Sequence, residues 1–415
     1  MAWSEKRGKR WRVRYWREDA TFGSVPGFPT KTAADDYAQT LESDQRKGTW
    51  IDPAAGRLTL GEWTVSWLDA LDVSRNTEAQ YRSLLGNHIL PRWGTTSLSD
   101  ITGIGVAAWT KKLRAGGYAP ATVATITKVL SMLLADAADE KLIPANPIRP
   151  RRRGKRTRVK AREQIWATPQ EALQVADNAA ALVGPWAGVL IVTAAWTGAR
   201  WGELAGLQRP NVHLDDATIV IDPDIGALHE VNGHFELGPP KTAESARTIQ
   251  LPPFLIPLLR THLDNHDHPH VFVTTEGEYL RRSNFSRRAM RPAADGNLNR
   301  KNPPIRIHPV KTGLTFHGLR HSHKTWMIAD AVPEIAQAAR LGHTLDDKIQ
   351  KVYSHIANEV RHRLLNALQD RWDKATADST STDLEAAWRR DRDVQMRSSE
   401  HDRSPVLRRS GFVER

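Results

Sequence analysis

At 415 residues the chain is too long for one hydrophobic core, and its 40% hydrophobic content is enough to fill two or three. A formal net charge of +12 favours a polyanionic partner, either nucleic acid or an acidic membrane surface. The absence of cysteine excludes disulfides, thiolate nucleophiles and Cys-ligated zinc, so chemistry has to come from His, Lys, Arg, Tyr, Ser or carboxylates.

The first residues, MAWSEKRGKRWRVRYW, are basic but lack the apolar stretch of a signal peptide, which predicts a cytoplasmic, nucleoid-associated protein. No apolar run approaches bilayer-spanning length on this reading, so no membrane partner is expected and nucleic acid is favoured. In RWRVRYWR (10–17) alternation places Trp11, Val13 and Tyr15 on one face of a strand and Arg10, Arg12 and Arg14 on the other. Thr32 with Asp35 reads as the cap of a helix of about four turns ending near Gly48. Residues 1–57 are thus expected to form a small sheet-plus-helix domain, whose arginine face is either solvated or a DNA contact.

Helical spacing begins with Leu60, Trp63, Trp67 and Leu71, and repeats in Tyr81, Leu84, Leu85 and Ile89 until Pro91 is expected to stop it. A third helix over Gly105 to Leu113 and a fourth opening at Pro120 complete a four-helix domain at 58–148. RPRRRGKRTRVKAR follows. With Arg151, Arg152 and Arg153 and almost no apolar side chain, it reads as a basic linker at 149–167, suited to neutralising DNA phosphates.

The next domain, 168–373, opens on a capping box, Thr168-Pro169 with Glu171. An all-apolar helix follows around Ala187 to Thr197. Short β-prone runs then appear at Thr218 to Ile221, Arg247 to Leu251 and His270 to Thr274, before helices dominate from Phe316 to Leu368. The polar stretch around Asn297 to Pro304 looks inserted, and residues 374–415 read as a flexible tail. The predicted class is multidomain α+β: a small β-sheet-plus-helix domain, a four-helix domain, and a mainly α domain with a small antiparallel sheet.

Three segments of the last domain carry chemistry only in combination: TGARWGELAGL (197–207), PPKTAESARTIQLP (239–252), and HGLRH (317–321) with LGH (341–343) and YSH (353–355). Taken singly, Arg200 reads as an ion-pair partner of Glu203, and Lys241 as a solvent-facing residue at a hairpin tip. His317, Arg320, His321 and Lys324 share a helix face. A metal site from His317, His321 and His323 is disfavoured, because no carboxylate or cysteine completes a ligand set and Arg320 would repel the cation. Phosphodiester chemistry makes the set coherent. Arg200 and Arg320 can answer the charge on non-bridging oxygens, Lys241 can protonate a leaving oxygen, and Tyr353 can attack once cations and a histidine lower the cost of removing its proton.

The ordered series Arg200, Lys241, His317-x-x-Arg320, His343 and Tyr353 resembles the tyrosine recombinases, or phage integrases, over roughly residues 168–365. That resemblance implies that Tyr353 attacks the scissile phosphate to give a 3′-phosphotyrosine, with Arg200 and Arg320 clamping the phosphate. It makes Lys241 the general acid, His317 a general acid/base, His343 a transition-state donor and Glu203 the support of Arg200. It implies a core-site-binding role for 58–148 and, more loosely, arm-site binding for 1–57. It further implies a homotetramer on duplex attachment sites, strand exchange through a Holliday junction, an excisionase and a host DNA-bending protein as candidate partners, and no cofactor or metal. Two departures stand out: DDKIQKVY lacks the Thr often found shortly before the nucleophile, and the Asn297 to Pro304 stretch could alter the approach to the site. Tyr279 lies upstream of the histidine motifs and is a weak rival nucleophile. A type IB topoisomerase and a non-catalytic DNA-binding protein are the alternatives that remain.

Overall fold

The computed structural model describes residues 2–17, 20–48, 50–52, 54–148, 163–343 and 356–377. Arg151, Arg152 and Arg153 of the expected linker, Tyr353, and the tail beyond residue 377 therefore lie outside the described residues. The chain divides into two compact units, Met1–Val159 and Lys160–Arg415.

The first unit holds two separate cores. Strands β1 (Ala2–Arg7), β2 (Arg10–Trp16) and β3 (Phe22–Phe28) form an antiparallel sheet in that order, backed by α1 (Lys31–Lys47). As the alternation requires, Val13 and Tyr15 point inward and are fully buried. The opposite face is less open than expected. Arg12 is paired with Glu5 at 2.7 Å, and the Arg14 guanidinium lies over the Phe22 and Trp3 rings. The helix cap is Thr30 rather than Thr32. Thr30 accepts the Ala33 N–H, and Gly48, at φ +69°, closes the last turn as expected.

The second core is the four-helix array: α2 (Leu60–Asp69), α3 (Arg75–Leu84) running on through a π turn (Leu85–Ile89) into α4 (Leu90–Trp93), α5 (Gly103–Ala115) and α6 (Pro120–Asp139). Pro91 does not stop the second helix. Proline cannot donate to the residue four back and its ring crowds that carbonyl, so the chain widens to an i→i+5 turn just ahead of it, with Leu90 N–H donating to the Leu85 carbonyl. The same solution recurs in the second unit, where a π turn at Ser286–Met290 precedes Pro292. By length and composition α6 could cross a bilayer, which corrects the expectation that no such run exists. Its Ile126, Leu130, Leu133 and Leu134 are instead buried among the other helices.

In the second unit α7 (Pro169–Val183) starts on the predicted capping box, and α8 (Pro185–Thr197) is buried from Ala187 to its end. A short α9 (Trp201–Ala205) leads to β4 (Val212–His213) and β5 (Thr218–Ile221). The hairpin β6 (Ala227–Val231)–β7 (His234–Gly238) follows, then β8 (Arg247–Gln250). The order β4-β5-β8 makes one antiparallel sheet and the hairpin a second. The run His270 to Thr274 forms no strand, only isolated bridges from His270 to Gln208 and from Val273 to Tyr279. The chain continues through α10 (Leu255–Asp264), α11 (Arg282–Phe285), α12 (Arg291–Asp295), α13 (Phe316–Ala329), α14 (Glu334–Leu341) and α15 (Asn358–Ala377). Trp196 anchors this core: its ring meets Trp326, Phe254 and Trp372, and its indole N–H donates to the Leu368 carbonyl at 3.1 Å.

Candidate active site

Two helix ends, each closed by a left-handed glycine, supply the carbonyls that aim the arginines. Gly198 (φ +69°) ends α8 where a Cβ would stand 2.6 Å from Leu341 and 2.8 Å from the His323 ring. Gly342 (φ +63°) ends α14 where a Cβ would stand 2.8 Å from the Glu244 carbonyl. Both positions thus need glycine for backbone conformation and for clearance.

Arg320, on α13, is 4% exposed and donates to the Gly198 carbonyl at 2.6 Å and to the Leu341 carbonyl. Arg200, just before α9, donates to Ser245 Oγ at 2.9 Å and to the Gly342 carbonyl at 3.2 Å. Glu203, one turn on, accepts Arg200 Nη1 at 2.7 Å and the Arg200 backbone N–H at 2.9 Å, the ion pair that the spacing of the two residues suggested. The carboxylate is shared. Arg247 donates to both its oxygens, at 3.2 and 3.0 Å, and its Nε donates to the Arg340 carbonyl at 2.8 Å. Burial alone would raise the Glu203 pKa, but Arg247 and Arg200 reverse the effect and hold it below the usual carboxylate value. The two guanidiniums from separate motifs therefore converge on one turn, Leu341–Gly342–His343.

A deeper layer supports that turn. Arg340 donates to His323 Nε2 at 2.9 Å, to the Gln250 carbonyl at 3.0 Å and to the Trp196 carbonyl at 2.9 Å. The ring Nδ1 of His323, 2.9 Å from the Ala195 carbonyl, carries the proton, because Nε2 accepts from Arg340. Burial and the Arg340 charge hold His323 neutral. Arg340 ties the end of α8, the end of β8 and α13 to the segment that carries His343.

Both candidate histidines lie at the surface. His343 is pushed down to about 4, first by desolvation and then by Arg320 and Arg200. His317 is also lowered, by desolvation, by its neighbour His321 and by Arg320 and Arg282. Both are neutral near pH 7, able to donate from one nitrogen and accept at the other. Burial and Arg200 pull the Arg320 guanidinium down to about 9, which leaves it charged. His317, Arg320, His321 and Lys324 do not act as one exposed face: Arg320 turns into the core while His317 stays outside, its ring 4.8 Å from that of His321. Lys241 is exposed but not at a hairpin tip. The β6–β7 hairpin turns at Asn232 and Gly233, and Lys241 lies in the following connection, two residues ahead of the 3-10 turn Ala243–Ser245. Among the described residues no cluster of three or more His, Asp or Glu suits a metal.

Residues 156–359 match the model of the phage integrase family. The second unit therefore carries a domain of the phage integrase family. It is 28% identical to the prophage phiRv2 integrase of Mycobacterium tuberculosis over 81% of this chain and 86% of that protein. It is also 28% identical to an integrase of Mycobacterium phage L5, over 75% and 81% of the two chains. The fold resembles that of a Tn1549 transposon integrase bound to a circular intermediate DNA, with a TM-score of 0.59 at 15% identity, over 75% of this chain and 99% of the other.

Arg247, Ser245 and Arg340 received no role from the sequence, and His323 only that of a ligand in the disfavoured metal site, although the pattern held a signal for the two arginines. Arg247 shares strand parity with the buried Ile249 and Leu251, and Arg340 falls on the stripe of Ala336 and Leu341. An arginine on an apolar face has to find partners.

Proposed function

We propose that this site-specific recombinase is the integrase of a mobile element, and that it cuts each DNA strand by attack of Tyr353 on the scissile phosphate. The observation that carries the reading is the convergence of Arg200 and Arg320 on the turn of His343. Each guanidinium is held by carbonyls, Ser245 or Glu203 and keeps donors in excess of those partners.

Fixed donors of this kind favour the pentacovalent transition state, where negative charge builds on the non-bridging oxygens, and no reorganisation is needed when it forms. In this scheme neutral His343 donates to one of those oxygens and His317 accepts the tyrosine proton. Lys241 protonates the departing 5′ oxygen. Its exposed connection can fold onto bound DNA, where desolvation would ease that transfer. The products are a 3′-phosphotyrosine and a free 5′ hydroxyl. The energy of the broken bond stays in the new one, and a second hydroxyl can reverse the step across strands to give a Holliday junction in a tetramer. The array at 58–148 would grip the core site, and the sheet at 2–28 would bind a separate arm site, with Arg10 as its leading cation because Arg12 and Arg14 already have partners. Arg151, Arg152 and Arg153, in the linker between that array and the domain at 168–373, would neutralise DNA phosphates. An excisionase and a host bending protein would set direction.

The test is a nicked core-site duplex taken from the mapped junctions of the element, on which wild type should accumulate a covalent adduct. Tyr353→Phe should form none while binding the duplex as wild type does. An adduct in that variant would move the nucleophile elsewhere. Relaxation of a plasmid lacking any such site would favour a topoisomerase.

A further inference from the structure

We propose that the loop 296–309, held shut by Asn297, is an accessory clamp on the DNA backbone that lengthens the footprint beyond the cut site; the inference rests on the recombinase reading above. Loops of this length with no regular structure are costly to order unless something pins them. Here Asn297, 4% exposed, is the pin. Its amide donates to the Ile305 carbonyl at 2.7 Å, its side-chain oxygen accepts the Ile307 N–H at 2.8 Å, and its own N–H donates to the Ile307 carbonyl at 3.0 Å. Below it the base is closed by Val310 and Lys311 donating to the Ala294 carbonyl, and by Gly313 N–H donating to Asp295. Gly296, at φ +78°, makes the entry turn where a Cβ would stand 2.8 Å from the Pro309 nitrogen.

What this scaffold presents is charge of one sign. Between residues 282 and 310 the only acidic residue is Asp295, and it is taken by Arg291 at 2.8 Å. Six cations remain without a carboxylate in that segment: Arg282, Arg287, Arg288, Arg300, Lys301 and Arg306, all exposed. They are not scattered. Arg300 Nη2 donates to the Arg287 carbonyl at 3.0 Å, which docks the loop on the helical run, and Arg282 stands close enough to His317 to lower its pKa. Cations thus stand both beside the histidine of the cutting site, at Arg282, and where the loop docks on the helical run, at Arg287 and Arg300. A surface that only needed solubility would mix signs, whereas nearness to a phosphate-binding site selects the flanking phosphates as its partner.

The experiment measures binding of the full chain to a random-sequence duplex of about 30 base pairs, some three helical turns, across a salt series. Replacing Arg300, Lys301 and Arg306 by Ser should make the log–log salt slope shallower by about 2 to 3, near 0.9 for each phosphate no longer neutralised, and weaken binding tenfold or more. Adduct formation at saturating core-site DNA should be unchanged. Asn297→Ala keeps the charges but releases the loop, so it should weaken binding several-fold with little change in slope. A triple variant with wild-type slope and affinity would overturn the clamp and leave the loop to another partner. Asn297→Ala binding as tightly as wild type would overturn the pinning. Loss of all salt-dependent binding in the wild-type chain would instead overturn the recombinase reading beneath it.

Discussion

Arginines crowd two regions of this protein, and the two treat them in opposite ways. In the second unit Arg320 and Arg340 are buried and Arg247 nearly so, while Arg200 is partly covered. Between them they engage backbone carbonyls, Ser245, His323 and the single carboxylate of Glu203. On the sheet of the first unit Arg10 is exposed, Arg12 shares a surface pair with Glu5, and Arg14 rests on aromatic rings. The difference lies in when the entropy of ordering is lost. A buried guanidinium tied to carbonyls has its geometry fixed on folding and can serve a transition state, whereas a surface one is fixed only on binding and can serve affinity.

The sharpest way to break that contrast is to truncate one arginine from each set. Arg320→Ala should cost at least about a hundredfold in adduct formation rate, as removal of a preorganised donor does, while Arg10→Ala should leave that rate unchanged. A single-turnover assay on the nicked duplex decides it, and equal effects would erase the distinction. Glu203→Gln attacks the shared counter-ion. It leaves Arg200 and Arg247 without a carboxylate and should lower stability by about 3–5 kcal/mol in a denaturant titration. A cost below about 1 kcal/mol would show that carbonyls alone satisfy the pair.

Lys241→Ala probes a group that the fold does not fix. Cleavage of ordinary DNA should slow, and sulfur in place of the leaving 5′ oxygen should restore it, because a thiolate departs without a proton. Absence of selective rescue would reduce Lys241 to a backbone contact. A smaller effect comes from pH. His262, buried beside the Val271 carbonyl, is lowered to about 4 chiefly by desolvation, and burial and Arg340 hold His323 well below its usual value. Their folded values lie below the unfolded value of about 6.5, so stability is complete above that pH and falls as the pH drops from there towards 4. His262 alone should remove about 2 kcal/mol by pH 5. Urea midpoints at pH 7 and pH 5 measure it, and a constant midpoint would mean that these rings are hydrated.

Much of the fold is legible in the residues alone. The 3.6-residue spacing of Leu60, half-buried Trp63 and Trp67 and the alternation of Val13 and Tyr15 report the core-facing side, because amphipathic elements write their period into the chain. The capping box at Thr168 does the same for a helix start. Other expectations fail for local reasons. Pro91 reads as a stop, since sequence alone does not reveal that a π turn can absorb it, and His270 to Thr274 reads as a strand although its edge finds only single bridges. Lys241 reads as a tip residue only while the turn at Asn232–Gly233, which closes the hairpin upstream of it, is overlooked.

By itself the sequence determined which residue types could do phosphate chemistry and in what order they occur, since chemistry depends on side-chain identity and motifs are local. It determined the helical and strand periods for the same reason. Only the tertiary structure decided that Arg200 and Arg320 meet on the Gly342 turn, that Arg247 and Arg340 stand behind them, and that one glutamate serves two guanidiniums. The bonds from Arg200 to the Gly342 carbonyl, from Arg247 to Glu203 and from Arg340 to the Trp196 carbonyl join positions 44 to 144 residues apart, and a pairing at that distance leaves no periodic trace along the chain. It exists only once α8, β8, α13 and α14 share a core.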